Sequence, residues 1–310
     1  MLNKFVLAIG IGSLALMGAA PRSAAADKAS PTLEEIDKIT QAVPQKATAK
    51  PAQPRKLLVF TLTRGFKHSS VPVAAKALEI LGQKTGAFET VISDDIAMFE
   101  PAKLRQFDAV CMDNTTGDLF APADLKKLPP DEQKAARQRS DDLRKSLVDF
   151  VSGGKGLAGI HAATDCFYQW PEYGQMMGGY FNGHPWGKVI VKVDDPAHPL
   201  NAVFKGQGFQ ISDEIYTFKT PYSRDALRIL LSVDWDASVE KLKLKPGTRQ
   251  DNDYALSWVR NYGQGRVFYC AFGHDHAIFW NPAILQHYLD GIQFALGDLR
   301  ADATPSARIK

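Results

Sequence analysis

The residue best placed to do chemistry is His161, in the run Gly159-Ile160-His161-Ala162-Ala163 after the apolar stretch Leu157–Ile160. A strand leading into a tight turn and then a helix has the shape of a nucleophile elbow. Such a turn holds one side chain out over the sheet edge. A thiol there would be a nucleophile, whereas an imidazole is a general base, a hydrogen-bond donor or a metal ligand. Cys166 follows shortly after and reads as packing, so no cysteine mechanism is expected. On this reading His161 faces solvent, and alanine in its place should stop turnover with little change in melting temperature.

Other polar groups follow other apolar runs. Arg64 and His68 come after the first, Asp113, Asn114 and Thr115 after a third, and His274, Asp275 and His276 after the last. Open α/β sheets bind ligands at the carboxyl ends of their strands, so these residues belong to one candidate site. Glu214 opens a further strand, read as Glu214–Phe218, where a carboxylate is disfavoured unless paired. His161, Glu214 and His274 are therefore the catalytic candidates, as base, ligand or orienting group. His161, His184, Glu214 and His274 can also form a metal site with an open position. No ligand spacing is diagnostic of an ion, so no cofactor is fixed and a divalent metal stays open. Gly153-Gly154-Lys155-Gly156 precedes a strand and lacks the nicotinamide fingerprint. His198-Pro199 reads as a turn.

The elements that must carry these groups are legible as alternating patterns. Lys56–Thr63, Phe88–Ile92, Asp108–Met112 and Leu157–Ile160 read as buried strands. Ser69-Ser70-Val71-Pro72 reads as the cap of a helix that Gly86 ends, and Leu143, Leu147, Val148 and Val151 mark another, ended by Gly153-Gly154. The Lys- and Pro-rich stretch 121–139 reads as a polar insertion. Beyond it, 188–193, 228–233, 254–260 and 266–272 read as strands, the last two joined by a hairpin at Asn261–Gly265. A closing helix starts at Asn281-Pro282 and ends at Gly297. The expected fold class is α/β: a parallel core extended by antiparallel strands, in one domain over about 55–300 with a short tail, 301–310.

The chain has 310 residues, a formal net charge of +3 and three scattered cysteines, Cys111, Cys166 and Cys270. No concentrated basic face points to nucleic acid, and one disulfide at most is implied. Residues 1–26 combine Lys4, a short apolar run and Ala24-Ala25-Ala26, the pattern of a signal peptide cleaved before Asp27. A periplasmic or secreted protein with no membrane span after cleavage is expected. Residues 27–54 read as a leader carrying one short helix around Leu33, Ile36 and Ile39.

Several motifs then occur in order. They are Thr63-Arg64-Gly65-Phe66-Lys67-His68, His161–Asp165, Trp170–Tyr173, Gly178–Trp186, His198-Pro199, Asp213–Tyr216, Tyr262–Arg266 and Gly273-His274. Over about Lys56–Leu299 they resemble the ThuA-like (trehalose-utilisation) family. The resemblance implies a flavodoxin-like core of the class I glutamine-amidotransferase type, here without that fold's catalytic cysteine. It also implies work on disaccharides by way of 3-keto sugars, with a small-molecule sugar derivative as partner and a separate sugar dehydrogenase performing the oxidation. Acid–base chemistry on such a ketone gives isomerisation, elimination or hydrolysis; a non-catalytic carbohydrate-binding or sensing module is the alternative. Arg64, His68, Asp113, Asn114, Tyr180, His184 and Trp186 are the expected substrate contacts. Tyr180 and Trp186 are the expected stacking platforms, because they flank His184.

Overall fold

The computed structural model describes residues 30–308; the expected signal peptide lies outside them. Nine strands form one sheet: β1 (Lys56–Phe60), β2 (Glu89–Ser93), β3 (Ala109–Asp113), β4 (Gly156–Ile160), β5 (Trp186–Val193), β6 (Phe209–Ile215), β7 (Arg228–Val233), β8 (Ala255–Tyr262) and β9 (Gly265–Cys270). Their spatial order is β2-β1-β3-β4-β9-β8-β7-β5-β6. The first five in that order are parallel, and every pairing from β9 outward to β6 is antiparallel. The parallel core with an antiparallel extension is thus present, and β3 and β4 are buried along their whole length, as a sheet covered on both faces requires.

Four reversals separate β9 from β6, so β6 runs in the same direction as the parallel strands. Its carboxyl end therefore lies at the same edge as theirs. In a flat sheet, five strand spacings would leave β6 about 24 Å from β4. Glu214 on β6 nevertheless lies 3.4 Å from His161, just past β4. The antiparallel wing must curl back over that edge, and register shifts within the β7–β8 and β5–β6 pairs accompany the bend.

The helices are α1 (Leu33–Ala42), α2 (Val71–Thr85), α3 (Pro130–Ser152), α4 (Pro171–Met177), α5 (Trp235–Leu242) and α6 (Pro282–Leu296). Two of them depart from the sequence reading. Ser70 occupies the N-cap position of α2 but makes no capping bond. Its hydroxyl instead donates to the Gly273 carbonyl at 2.7 Å, tying the helix start to the loop after β9. Helix α3 begins within the stretch read as a polar insertion. Its first three turns are rich in Lys, Arg and Gln, good helix formers whose lack of a buried face hid them. After β4, His161–Thr164 forms a single 3-10 turn instead of opening an α-helix. The strand expected at 214–218 is shifted to 209–215, because inward-facing Ile211, Asp213 and Ile215 alternate with outward residues and a buried aspartate masks the pattern.

The leader docks on the domain. Helix α1 carries a Thr32–Glu35 capping box and buries Ile39. Gln293 on α6 accepts from the Thr48 and Ala49 backbone N–H groups, and Thr48 Oγ1 donates to Asp290 Oδ1 at 2.5 Å. All three cysteines are free and buried. No described helix is long and apolar enough to cross a membrane.

Asp290 gives a stability prediction. Burial pushes its carboxyl up to about 6, and donation from Thr48 and Gln286 only partly offsets this. A carboxyl raised in the folded state favours folding at low pH and loses that contribution as pH rises from about 4 through about 6. Asp290→Asn keeps the acceptor and removes the buried charge. Its thermal midpoint should exceed that of the parent at neutral pH, by up to about 3 kcal/mol in stability, and match it near pH 4. Equal midpoints at both pH values would refute the assignment.

Candidate functional site: a histidine–glutamate cluster

Four side chains meet at the shared sheet edge: His68 from the β1–α2 loop, His161 after β4, Glu214 near the end of β6 and His274 after β9. One ligand atom from each lies within 4.8 Å of the others. The three imidazole rings are mutually edge-on, with centroids 5.0, 5.2 and 5.5 Å apart.

His161 adopts a left-handed backbone, φ 44°, which turns its ring into the cluster. Contrary to the elbow reading, the ring is fully buried. Its Nδ1 lies 2.7 Å from the Ala271 carbonyl, which can only accept, so Nδ1 carries the proton and Nε2 presents a bare lone pair. Tyr216 packs on the ring at 4.1 Å between centroids. Glu214 divides its oxygens. Oε2 is 3.4 Å from His161 Nε2 and 3.1 Å from His274 Nδ1, while Oε1 is 3.2 Å from Nδ1 of the half-exposed His184. Burial pushes the Glu214 carboxyl up, but the surrounding imidazoles, His161 first among them, outweigh it and leave it below its ordinary value. Burial, reinforced by the neighbouring imidazoles, drives His68 down to about 3.

The loop bearing His274 is fixed from beneath. The backbone N–H groups of Gly273 and Asp275 donate to the two oxygens of Asp213, at 2.7 and 2.8 Å. Gly273 has φ 145°, and a Cβ there would meet Ile160 at 2.9 Å, so the position needs glycine. Its carbonyl receives the Ser70 hydroxyl and, more distantly, the Asn114 amide.

Some expected contacts lie elsewhere. Tyr180 is buried, its hydroxyl bonded to the Trp170 carbonyl, and Trp186 is buried against Tyr254 with its indole N–H on the Lys245 carbonyl. Neither ring can stack on a ligand in this conformation. Arg64 is exposed, and its guanidinium has no hydrogen-bond or ion-pair partner among the described residues; its backbone N–H donates to Thr116. Asp113 and Asn114 are buried beneath the site, joined by a hydrogen bond of 3.1 Å. His276 turns away from His274 to pair with Glu35 and Ser69, and His198 is buried on backbone partners. Cys166 is buried, bonded to the Ala163 carbonyl, and its thiol is pushed up to about 12, which rules out a resting thiolate.

Two aromatic side chains without an assigned role border the cluster instead. Phe66 is 64% exposed and sets its ring 4.8 Å from His68. Phe181 packs on Tyr216 and stacks near His184. Phe66 is signalled in the sequence by its place after the first strand and in the ordered motifs, and Phe181 also by the aromatic run Trp170, Tyr173, Tyr180, Phe181 and Trp186. A cavity of about 340 Å³ lies over Glu214 and His274 and is bounded by His184, Trp186 and Asp275. A second, of about 460 Å³, lies between α1 and the β1–α2 loop, with His68, Val71 and Pro72 in its walls.

A parallel-centred sheet extended by antiparallel strands, with a histidine directly after β4, defines a glutamine-amidotransferase-like α/β domain. The chain belongs to the ThuA family, described as trehalose utilisation, which it matches over residues 56–295. A putative ThuA-like protein from Bacteroides uniformis is 20% identical, with a TM-score of 0.60 over 80% of this chain and 94% of its own. One from Parabacteroides merdae is 18% identical, with a TM-score of 0.54 over 81% and 93%. These likenesses establish the fold. No curated protein matches the chain.

Proposed function

We propose that this chain is an exported enzyme acting on an oxidised disaccharide or glycoside, a 3-keto sugar, by acid–base chemistry at the histidine–glutamate cluster. The observation that carries the reading is the division of Glu214 between His161 and His274 on one oxygen and the accessible His184 on the other. His161 is too deeply buried to meet a sugar proton, so the base is His184. A proton held on its Nδ1 toward Glu214 Oε1 leaves Nε2 facing the cavity.

A ketone at C3 makes the C2 proton acidic. His184 takes that proton, the C2–H electrons move into the enolate at O3, and the imidazolium formed on His184 offsets the new charge. Return of the proton to C2 isomerises the sugar. Alternatively the C1–O bond breaks, the enolate electrons form the C1–C2 double bond, and the leaving oxygen takes the proton from His184. The 3-ketone must come from a separate sugar dehydrogenase. A base and a buried polar cluster serve turnover and are superfluous to a binding module, which needs only platforms and donors. The family's association with trehalose utilisation supports the sugar class, and the residues before Asp27 support export.

Incubation with 3-keto-trehalose in deuterated buffer, followed by proton NMR, should show loss of the C2 proton signal or release of glucose, and His184→Ala should abolish either. Binding of the keto sugar with neither exchange nor cleavage would instead make the chain a binding module. N-terminal sequencing of the exported protein should start near Asp27; an intact residue 1 on membrane-bound protein would refute export.

A further inference from the structure

We propose that His68, His161, Glu214 and His274 hold one divalent transition-metal ion, with zinc the best match to the donor set. The argument begins with the lone pairs. His161 must keep its proton on Nδ1, because its partner there is the Ala271 carbonyl at 2.7 Å. Its Nε2 therefore directs electrons at Glu214 Oε2, itself a negative acceptor, across 3.4 Å. Two lone-pair atoms face each other stably in a buried site only when a cation lies between them.

The other donors repeat the pattern. His274 Nδ1 lies 3.1 Å from the same Glu214 oxygen. Buried ring nitrogens of His68, His161 and His274 all lack a hydrogen-bond partner among the described residues. Such a concentration of unsatisfied acceptors is costly unless something fills the point they share. A proton could occupy one gap, but it would leave the remaining nitrogens unpaired.

The spacing fits an ion. Zinc bonds of about 2.0–2.1 Å in a tetrahedron place neighbouring donors about 3.4 Å apart. The two close contacts at Glu214 are 3.4 and 3.1 Å, and all four donors lie within 4.8 Å of one another. Three imidazoles with one carboxylate match zinc and its first-row neighbours, while calcium and magnesium take predominantly oxygen donors. The outer partners are in place as well: Ala271 orients His161, and Asp213 holds the two N–H groups that flank His274. His184 contacts only the outer Glu214 oxygen and stays outside the set. Glu214 and His274 also line the 340 Å³ cavity, which gives a further coordination position access to a sugar oxygen.

Metal binding stands without the sugar reading; only the ion's role as Lewis acid on the keto oxygen rests on it. The test therefore uses no sugar. Full-length exported protein, purified in metal-free buffer and stripped with chelator, is titrated with zinc chloride by calorimetry. Bound metal is measured by mass spectrometry, and cobalt(II) is added separately to read coordination from its visible absorption. One equivalent of zinc should bind and raise the melting temperature by several degrees, and cobalt should give a four- or five-coordinate spectrum. His68→Ala and the near-isosteric Glu214→Gln should lose the bound equivalent, with circular dichroism confirming the fold, while His184→Ala should retain it. Trace metal with no heat and no thermal shift would overturn the proposal. So would a full equivalent bound equally by all three variants, since the ion would then sit elsewhere.

Discussion

Replacing His161 with alanine is expected to lower turnover by at least about 10³-fold and to destabilise the fold by about 2–4 kcal/mol. The first effect follows from geometry: the ring supplies the innermost nitrogen of the cluster and faces Glu214 Oε2. The second corrects the expectation of a solvent-facing elbow. The ring is wholly buried between Tyr216 and His68, and its loss leaves the Ala271 carbonyl without its hydrogen bond. Turnover of the keto sugar and urea unfolding of the two proteins measure both effects. A variant as active as the parent would remove His161 from the mechanism, and unchanged stability would contradict the buried hydrogen bond.

Asp213→Ala should be nearly as damaging, although both oxygens of this carboxylate are taken up by backbone N–H groups. Burial raises its carboxyl, opposed by His161 and by the backbone donors of Gly273 and Asp275. Removing it strands the buried N–H of Gly273, at about 1–3 kcal/mol, leaves the part-buried N–H of Asp275 to water, and frees the loop that aims His274. A fall in kcat of about 10²-fold, with a smaller change in KM, is the expected kinetic signature of a positioning residue. Asp213→Asn retains one accepting oxygen and should fall between alanine and the parent in both stability and kcat. An alanine variant that loses stability but keeps its kcat would show that the loop does not govern His274.

The sequence carried the parallel half of the fold well, because fully buried strands such as Ala109–Asp113 and Gly156–Ile160 leave unbroken apolar runs. Polar residues after those runs pointed to His68, His161 and His274. Their grouping was less legible. His68 was read as a substrate contact only and His184 as both contact and donor, whereas the fold places His68 among the clustered donor atoms and leaves His184 outside them, because strand-end position says nothing of how deeply a loop turns inward. Tyr180 and Trp186 failed as platforms for a related reason. Both lie near His184 in sequence, but their polar atoms are satisfied by the Trp170 and Lys245 carbonyls, which draws each ring into the core. Phe66, with no such partner to bury it, remains outside beside His68. The convergence of Glu214 with His161 depends on the curl of the antiparallel wing, which no local pattern encodes.

The position of β9 has a consequence for how the chain is made. Synthesis proceeds from the amino end, yet the last strand in sequence is the one that joins β4 to β8 at the centre of the sheet. Until Gly265–Cys270 arrives, the facing edges of β4 and β8 have no shared partner, and such open edges invite pairing with other chains. A long parallel closure of this kind is slow to form because its contacts are distant in sequence. His161 and Glu214 are thus synthesised early and kept apart until the final sixth of the chain brings β9 and His274. Assembly of the histidine–glutamate cluster and closure of the sheet are one late event, so a nascent chain cannot form the site before the sheet is complete.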